Sequence, residues 1–297
     1  HDVGVRGLSV LLALGVDVRL VVTHRDDPDE NIWFDSVAEL AARNDIPVIM
    51  PSDPNSGDVI EQLRACQPDV LFSFYYRHML DADLLSIPRI GAFNVHGSLL
   101  PKYRGRVPVN WAVLHGETET GASLHRMEIK PDAGALLDQQ PVAILPNDTA
   151  WAVFQKLTCA TERLLLRCVP LLLEERASET PLDLSAGSYY GGRRPEDGRI
   201  DWRCPAHEIH NLIRAVAPPY PGAFLERDGQ RLDVLGSYFR GLPALRKGPR
   251  IYWQSGRCYA DCVDGLQLEL TRIAVAGEAL DEAAFRTRFE TTELNLD

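Results

Sequence analysis

The chain has 297 residues, of which 45% are hydrophobic and 25% charged, and it carries a formal net charge of -11. That length supports one large domain or two ordinary ones with a substantial core, and the composition excludes a disordered chain. The acidic balance argues against a partner held chiefly through phosphates, such as tRNA or DNA, but permits a local basic pocket.

The opening, HDVGVRGLSVLLALG, sets glycines directly before an apolar helical pattern. This is the pattern of the loop and helix after the first strand of a Rossmann-like sheet, so that strand is expected ahead of residue 1. The glycine spacing is not GxGxxG, and a dinucleotide reading is weak. Residues 16–22 read as a strand, 24–31 as a polar loop, and 35–44 as a helix capped near Asp35 or Ser36. A strand over 46–50, a helix over 58–66 and a continuous apolar strand over 69–74 follow. Strands alternating with helices predict βαβ units. YYRHML then crosses the end of the sheet, and a short helix over 81–86 leads to a strand over 92–96.

On that strand Phe93 and Val95 face one side and Asn94 and His96 the other, because strand side chains alternate. The strand ends at Gly97, and ligands of open α/β sheets bind at the carboxyl ends of strands. Pro101, Gly105 and Pro108 punctuate the next loop, which carries Lys102, Tyr103, Arg104 and Arg106. Pro108 suits the first turn of a helix and Gly116 its C-terminal cap. Strands are expected over 122–129 and 136–144. Asn147 or Asp148 is expected to cap a long amphipathic helix that Pro170 kinks or ends.

From 184 to 199 the composition shifts to Gly, Tyr, Arg and Pro, and GSYYGGRRPEDGR reads as an interdomain linker that packs against the surface. A helix over 205–216, the segment APPYPGAF and strands near 231–239, 249–254, 257–263 and 266–275 predict a small antiparallel barrel, followed by a helix near 281–289. The domain reading is a catalytic domain over 1–190, a linker over 191–203 and a barrel domain over 204–297.

Asn94, His96 and an Asp132 returning to the same spot can polarise a carbonyl, shuttle a proton and set the charge of the imidazole. Asn94 also suits a turn before a loop, and Asp132 in KPDAG serves equally well as a turn residue. Lys102, Arg104 and Arg106 form either a solvated loop or a site for an anion such as a diphosphate or a folate carboxylate. Trp111 reads as core. His78, His115, His125, His207 and His210 are scattered without metal-ligand spacing, so no metal is proposed. The six cysteines, at 66, 159, 168, 204, 258 and 262, include no CxxC and read as buried, reduced thiols of a cytoplasmic protein. Cys258 and Cys262 are spaced for a cross-strand pair that nothing requires. No signal peptide is recognisable. The most apolar run, 164–173, is interrupted by Arg167 and Pro170 and is too short to span a bilayer.

NVHGSLLPKYRGRVPVNWAVLHGETETG, followed by LHRM and PDAG, resembles the folate-dependent formyltransferase family. FSFYYRH and RAVAPPYPGAF fit it as well, so the resemblance covers nearly the whole chain. Within the family the wording is most similar to the formyltransferase half of the bifunctional polymyxin-resistance enzymes, which formylate UDP-4-amino-4-deoxy-L-arabinose. The resemblance implies an α/β catalytic domain with a mostly parallel Rossmann-like sheet and helices on both faces, plus a smaller C-terminal OB-like β-barrel. It implies 10-formyltetrahydrofolate as co-substrate, a nucleotide-linked amino sugar as acceptor, and a place in lipid A modification. Asn94, His96 and Asp132 are its expected catalytic trio, with His96 protonated, supported by Asp132 and donating towards the departing folate nitrogen. Folate contacts are expected at His78, Met79, Leu80 and Arg106, and along Glu128, Ile129, Lys130, Pro131 and Asp132. Lys102 and Arg104 are the candidates for a substrate anion. EIKPD departs from the family wording, which bears on the folate side chains. The dehydrogenase half of the bifunctional enzymes is not in this chain, so a separate or fused dehydrogenase domain, or a second copy, is an expected partner; nucleic acid and membrane are not. The competing readings are a methionyl-tRNA or dTDP-amino-sugar formyltransferase, a non-catalytic nucleotide-sugar binding protein and a nicotinamide oxidoreductase.

Overall fold

The structure is a computed structural model that describes residues 2–25, 35–227 and 229–296. Most of the polar loop expected over 24–31 lies outside the described residues. The chain divides into two compact units. One comprises residues 1–108, 120–142 and 155–191, and the other 109–119, 143–154 and 192–297.

The first unit opens with helix α1 (Asp2–Ala13), followed by β1 (Val21–Val22), α2 (Val37–Arg43), β2 (Val48–Ile49), α3 (Gly57–Cys66), β3 (Val70–Phe74), α4 (Ala82–Leu85) and β4 (Gly91–His96). Ser36 caps α2, its hydroxyl accepting the Glu39 N–H at 3.3 Å. Leu8, Val21, Ala41 and Ile46 form one buried cluster, and Val59, Leu63, Leu80 and Leu84 another. β1 and β2 pair in parallel, as do β3 and β4. The chain continues through β5 (Arg104–Gly105), α5 (Pro108–Leu114), β6 (Glu119–Arg126), β7 (Leu136–Ala143), α6 (Ala150–Leu173) and β8 (Tyr189–Tyr190). The central sheet runs β3-β4-β6-β7, and β6 lies antiparallel to β4. Phe93 is fully buried and Val95 is 1% exposed. Each such side chain contributes roughly 1.5–3 kcal/mol of burial, which fixes the register of β4 and commits Asn94 and His96 to the opposite face.

One local expectation is corrected. α6 is capped by Thr149, whose Oγ1 accepts the Ala152 N–H at 3.1 Å. Asn147 instead accepts from the Phe239 N–H at 2.9 Å, and Asp148 from the Leu145 N–H at 2.7 Å. The helix passes through Pro170 and ends at Leu173, so the proline lies in its last turn, close to where the sequence places the break.

The second unit carries α7 (Ala206–Val216) and seven strands: β9 (Ala223–Arg227), β10 (Gln230–Pro243), β11 (Arg250–Gln254), β12 (Arg257–Asp261), β13 (Leu266–Val275), β14 (Glu278–Ala279) and, after α8 (Glu282–Phe289), β15 (Glu293–Asn295). They form one antiparallel sheet, ordered β15-β11-β12-β13-β10-β9 with β14 on β13. Register shifts after Val234, Gly236 and Phe239 interrupt the β10–β13 ladder. Such bulges bend and twist a strand, and they curl this sheet into a half-barrel. β9, β14 and β15 had no counterpart among the expected strands. All six cysteines are free, but only Cys168, Cys258 and Cys262 are buried; Cys159 is exposed. Burial pushes the Cys258 and Cys262 thiols up to about 12, so they stay protonated and inert. No helix among the described residues is long and apolar enough to cross a membrane.

Candidate active site

The site is built at the carboxyl end of β4. His96 is 6% exposed, and its Nε2 lies 2.8 Å from the Tyr103 carbonyl oxygen. A carbonyl only accepts, so Nε2 carries the hydrogen and donates it. The other ring nitrogen, Nδ1, faces the Asp132 Oδ1 at 3.5 Å. Burial lowers the pKa of His96; Asp132 and the Tyr103 carbonyl oppose that shift, and His125 adds to it. The resting ring is therefore neutral with a basic Nδ1. Removing the ring from water disfavours its charge.

Asp132 sits in the loop after β6 with φ 51°, in the left-handed region. Gly134, two residues on, allows the loop to close, since a Cβ there would lie 2.1 Å from the Arg126 carbonyl oxygen. The Asp132 Oδ2 accepts the Gly105 N–H at 2.8 Å, and its Oδ1 stands 3.5 Å from His96 and 3.6 Å from His125. Burial alone would raise this carboxyl. Contacts with His125, His96 and the Gly105 N–H outweigh burial and hold it at about 2. Of these, only the Gly105 contact has hydrogen-bond distance. Asp132 is a fixed anion at neutral pH.

Gly105 is itself held by the segment read as the start of a linker. β5 and β8 pair in parallel, Arg104 with Tyr189 and Gly105 with Tyr190. The Arg104 N–H donates to the Ser188 carbonyl at 3.0 Å, and the Arg106 N–H to the Tyr190 carbonyl at 2.9 Å. The Tyr103 and Tyr190 rings stack at 5.5 Å. Gly105 has φ 96°, and a Cβ there would lie 2.2 Å from the Tyr190 carbonyl oxygen. Only glycine fits that backbone and that approach. Tyr103 (φ 55°) and Val107 (φ 46°) flank it in the same unfavourable region. Such strain persists only where surrounding contacts enforce it.

One residue of the cluster was missed. His125 lies directly opposite Asn94 in the β4–β6 ladder and is 2% exposed. Its Nε2 is 3.2 Å from the Asn94 Nδ2, and its Nδ1 is 2.8 Å from the Arg126 carbonyl oxygen. The residue stood in LHRM among histidines without metal spacing. What singles it out is antiparallel register, which sequence spacing does not supply.

A formyl transferase profile matches residues 11–169, and a formyl transferase C-terminal domain profile matches residues 193–278. The chain belongs to the formyl transferase family. Its fold is similar to that of the N-formyltransferase from Helicobacter canadensis, solved in complex with folinic acid and dTDP-3-aminofucose. The two are 19% identical, with 90% of this chain and 95% of that one covered and a TM-score of 0.72. WlaRD, a sugar 3N-formyl transferase solved in the presence of dTDP and 5-N-formyl-THF, is 18% identical, with 93% and 95% covered and a TM-score of 0.73. A 4-N formyltransferase from Francisella tularensis is 20% identical over 65% of this chain and 78% of its own, with a TM-score of 0.56. At these identities the likeness is one of fold.

In this formyl transferase the residues expected to meet folate are placed unevenly. Met79, Glu128, Ile129 and Lys130 are exposed, as are His78 and Arg106, while Pro131 is half-buried. Leu80 is not available as a side chain, since it packs in the cluster with Val59, Leu63 and Leu84. The Met79 carbonyl already accepts from the Asn55 amide at 3.0 Å. Lys102 is exposed. Arg104 is 8% exposed, and its Nε has no hydrogen-bond partner among the described residues, an arrangement that suits an incoming anion. Among the described residues no group of three or more His, Cys, Asp or Glu is arranged to hold a metal ion. A cavity of about 480 Å³ in the second unit, lined by Leu114, His115, Asp201 and His207 among others, includes none of the expected site residues.

Proposed function

We propose that the chain transfers a formyl group from 10-formyltetrahydrofolate to the amino group of a nucleotide-linked sugar. The observation that carries this reading is the close approach of the Asp132 carboxylate to the His96 ring at the end of β4, in a chain of the formyl transferase family. Folinic acid and 5-N-formyl-THF in the structures of two proteins of similar fold support the folate co-substrate.

Asn94, His96 and Asp132 take the catalytic roles. Asn94 holds an amide N–H for the oxygen that gains negative charge as the amine adds to the formyl carbon. A donor of this kind is worth roughly 3 kcal/mol in acyl transfer. His96 begins neutral, and its Nδ1 lone pair takes the proton that the attacking amine must lose. Asp132, already an anion, stabilises the imidazolium so formed. The same proton then passes from Nδ1 to the folate nitrogen as the carbon–nitrogen bond to it breaks, and His96 ends neutral again. Arg106 and the stretch Glu128, Ile129, Lys130 and Pro131, with His78 and the backbone at Met79 and Leu80, are proposed to bind the folate. Lys102 and Arg104 are proposed to bind an anionic group of the sugar nucleotide.

For the acceptor, the wording of the central block favours UDP-4-amino-4-deoxy-L-arabinose, and with it lipid A modification and polymyxin resistance. A second reading, a dTDP-linked 3- or 4-amino sugar, is favoured by the ligands of the Helicobacter protein and WlaRD and by the 4-N activity in the Francisella protein's description. Competition decides between them. The protein is given 10-formyltetrahydrofolate and an equimolar mixture of UDP- and dTDP-linked amino sugars together with methionyl-tRNA, and products are resolved by mass spectrometry. The expected product is the formylated UDP-4-amino sugar. Exclusive formylation of a dTDP sugar or of the tRNA overturns the acceptor assignment.

A further inference from the structure

We infer that His125 is a positioning residue for Asn94: the imidazole opposite Asn94 in the β4–β6 ladder fixes which way the catalytic carboxamide turns. The inference rests on the formyl-transfer reading above for its kinetic consequence, but not for its geometry.

The geometry runs from the backbone outward. The Arg126 N–H donates to the Ala135 carbonyl at 2.8 Å, and the Arg126 guanidinium holds Glu179 in a paired contact and the Ile90 carbonyl at 3.2 Å. The Arg126 carbonyl is thereby a fixed acceptor. It lies 2.8 Å from the His125 Nδ1, which must carry a hydrogen to meet it. With its hydrogen on Nδ1 the ring presents a lone pair at Nε2; the Asp132 Oδ1, 3.6 Å from that nitrogen, stands outside hydrogen-bond distance. The Asn94 Nδ2, 3.2 Å away, is a donor and matches that lone pair. A flipped carboxamide would set its oxygen against the lone pair of a ring that is itself 2% exposed, an unfavourable meeting of two acceptors. Asn94 is therefore held with one N–H spent on His125 and the second N–H free for the reacting oxygen. His96 and His125 are thus opposite tautomers in one cluster: Nε2–H in His96, enforced by Tyr103, and Nδ1–H in His125, enforced by Arg126.

Glutamine and leucine at position 125 separate positioning from bulk. Glutamine places an acceptor near the Nε2 position, whereas leucine of similar size has none. H125L is expected to lower kcat by ~10- to 100-fold, as outer-sphere partners do, with KM for the formyl donor little changed, and H125Q is expected to recover most of that loss. In an Asn94→Ala background, H125L is expected to cost almost nothing more, because the group it orients is gone. Equal defects in H125Q and H125L, or an undiminished loss in the Asn94→Ala background, overturn the inference. Long-range proton–nitrogen spectra of the imidazoles in the unmodified protein give a readout that needs neither folding of a variant nor turnover. They are expected to show the proton on Nδ1 of His125 and none on Nε2; a proton on Nε2, alone or together with one on Nδ1, overturns the inference even if formyl transfer is demonstrated. If the unmodified protein transfers no formyl group but the tautomer is as stated, it is the functional reading that falls.

Discussion

At the residue scale, the duties proposed for Asp132 and His96 differ because their surroundings favour different charges. Asp132 is ionised at neutral pH, with its carboxyl held at about 2. His96 is kept neutral chiefly by burial. Activity governed by a neutral His96 falls as pH drops through its pKa, which lies below 6.5. Asp132 raises that pKa, so its removal lowers it further. In Asp132→Asn the acid limb of kcat/KM is expected at lower pH than in the unmodified protein, alongside a large loss of rate; an acid limb moved to higher pH contradicts the assignment. Asn94→Ala is expected to lower kcat by ~100-fold or more with a smaller change in KM, as for a lost oxyanion donor. The pairing of Asn94 and His96 was legible from strand alternation alone. The neutral state of His96 was not, because the burial that favours it is a property of the folded chain.

At the element scale, the sites of correction share a cause. Alternation and capping signals act within a few residues, and the helices and strands that depend on them were largely found in place. Pairings between distant segments were not. The β5–β8 pair joins residues some eighty positions apart, and the ladder that sets His125 against Asn94 joins residues 31 apart. The stretch GSYYGGRRPEDGR reads as a linker that packs against the surface, and spacing does not say where: its tyrosines meet the loop bearing Gly105. Gly105→Ala tests that support. A methyl at φ 96° and 2.2 Å from the Tyr190 carbonyl is expected to cost ~1–3 kcal/mol. It also displaces the N–H that holds Asp132. Lower kcat and a lower Tm together are expected; an alanine variant with unaltered rate and Tm shows that the β5–β8 pairing does not hold the site.

At the scale of the whole molecule, the second unit has its own buried titrating group. His210 is 2% exposed, donates from Nε2 to the Pro146 carbonyl at 3.0 Å and accepts the Ser237 hydroxyl at Nδ1 at 2.8 Å. Burial lowers its pKa to about 4. A folded-state pKa below the unfolded value near 6.5 means stability that is complete above pH 6.5 and lost as pH falls towards 4. The loss is roughly 3 kcal/mol for a shift of this size. Denaturant titrations of His210→Gln are expected to show a shallower loss between those pH values; an unchanged slope assigns the acid sensitivity elsewhere. The α/β unit and the antiparallel C-terminal sheet were both legible in the alternation of element types and in the spacing of short strands. The curl of that sheet was not, since it comes from bulges in β10 that depend on register with β13.

In the proposed reaction His96 and Asp132 move a proton while a formyl group changes nitrogen. A single turnover isolates that step, with enzyme in excess over 10-formyltetrahydrofolate and an aminated UDP-sugar present, followed by mass spectrometry of the sugar. One formyl group is expected to be gained with the unmodified protein and none on the same timescale with His96→Ala or Asp132→Ala, each still melting cooperatively. Formylation at an undiminished rate in either variant would contradict it.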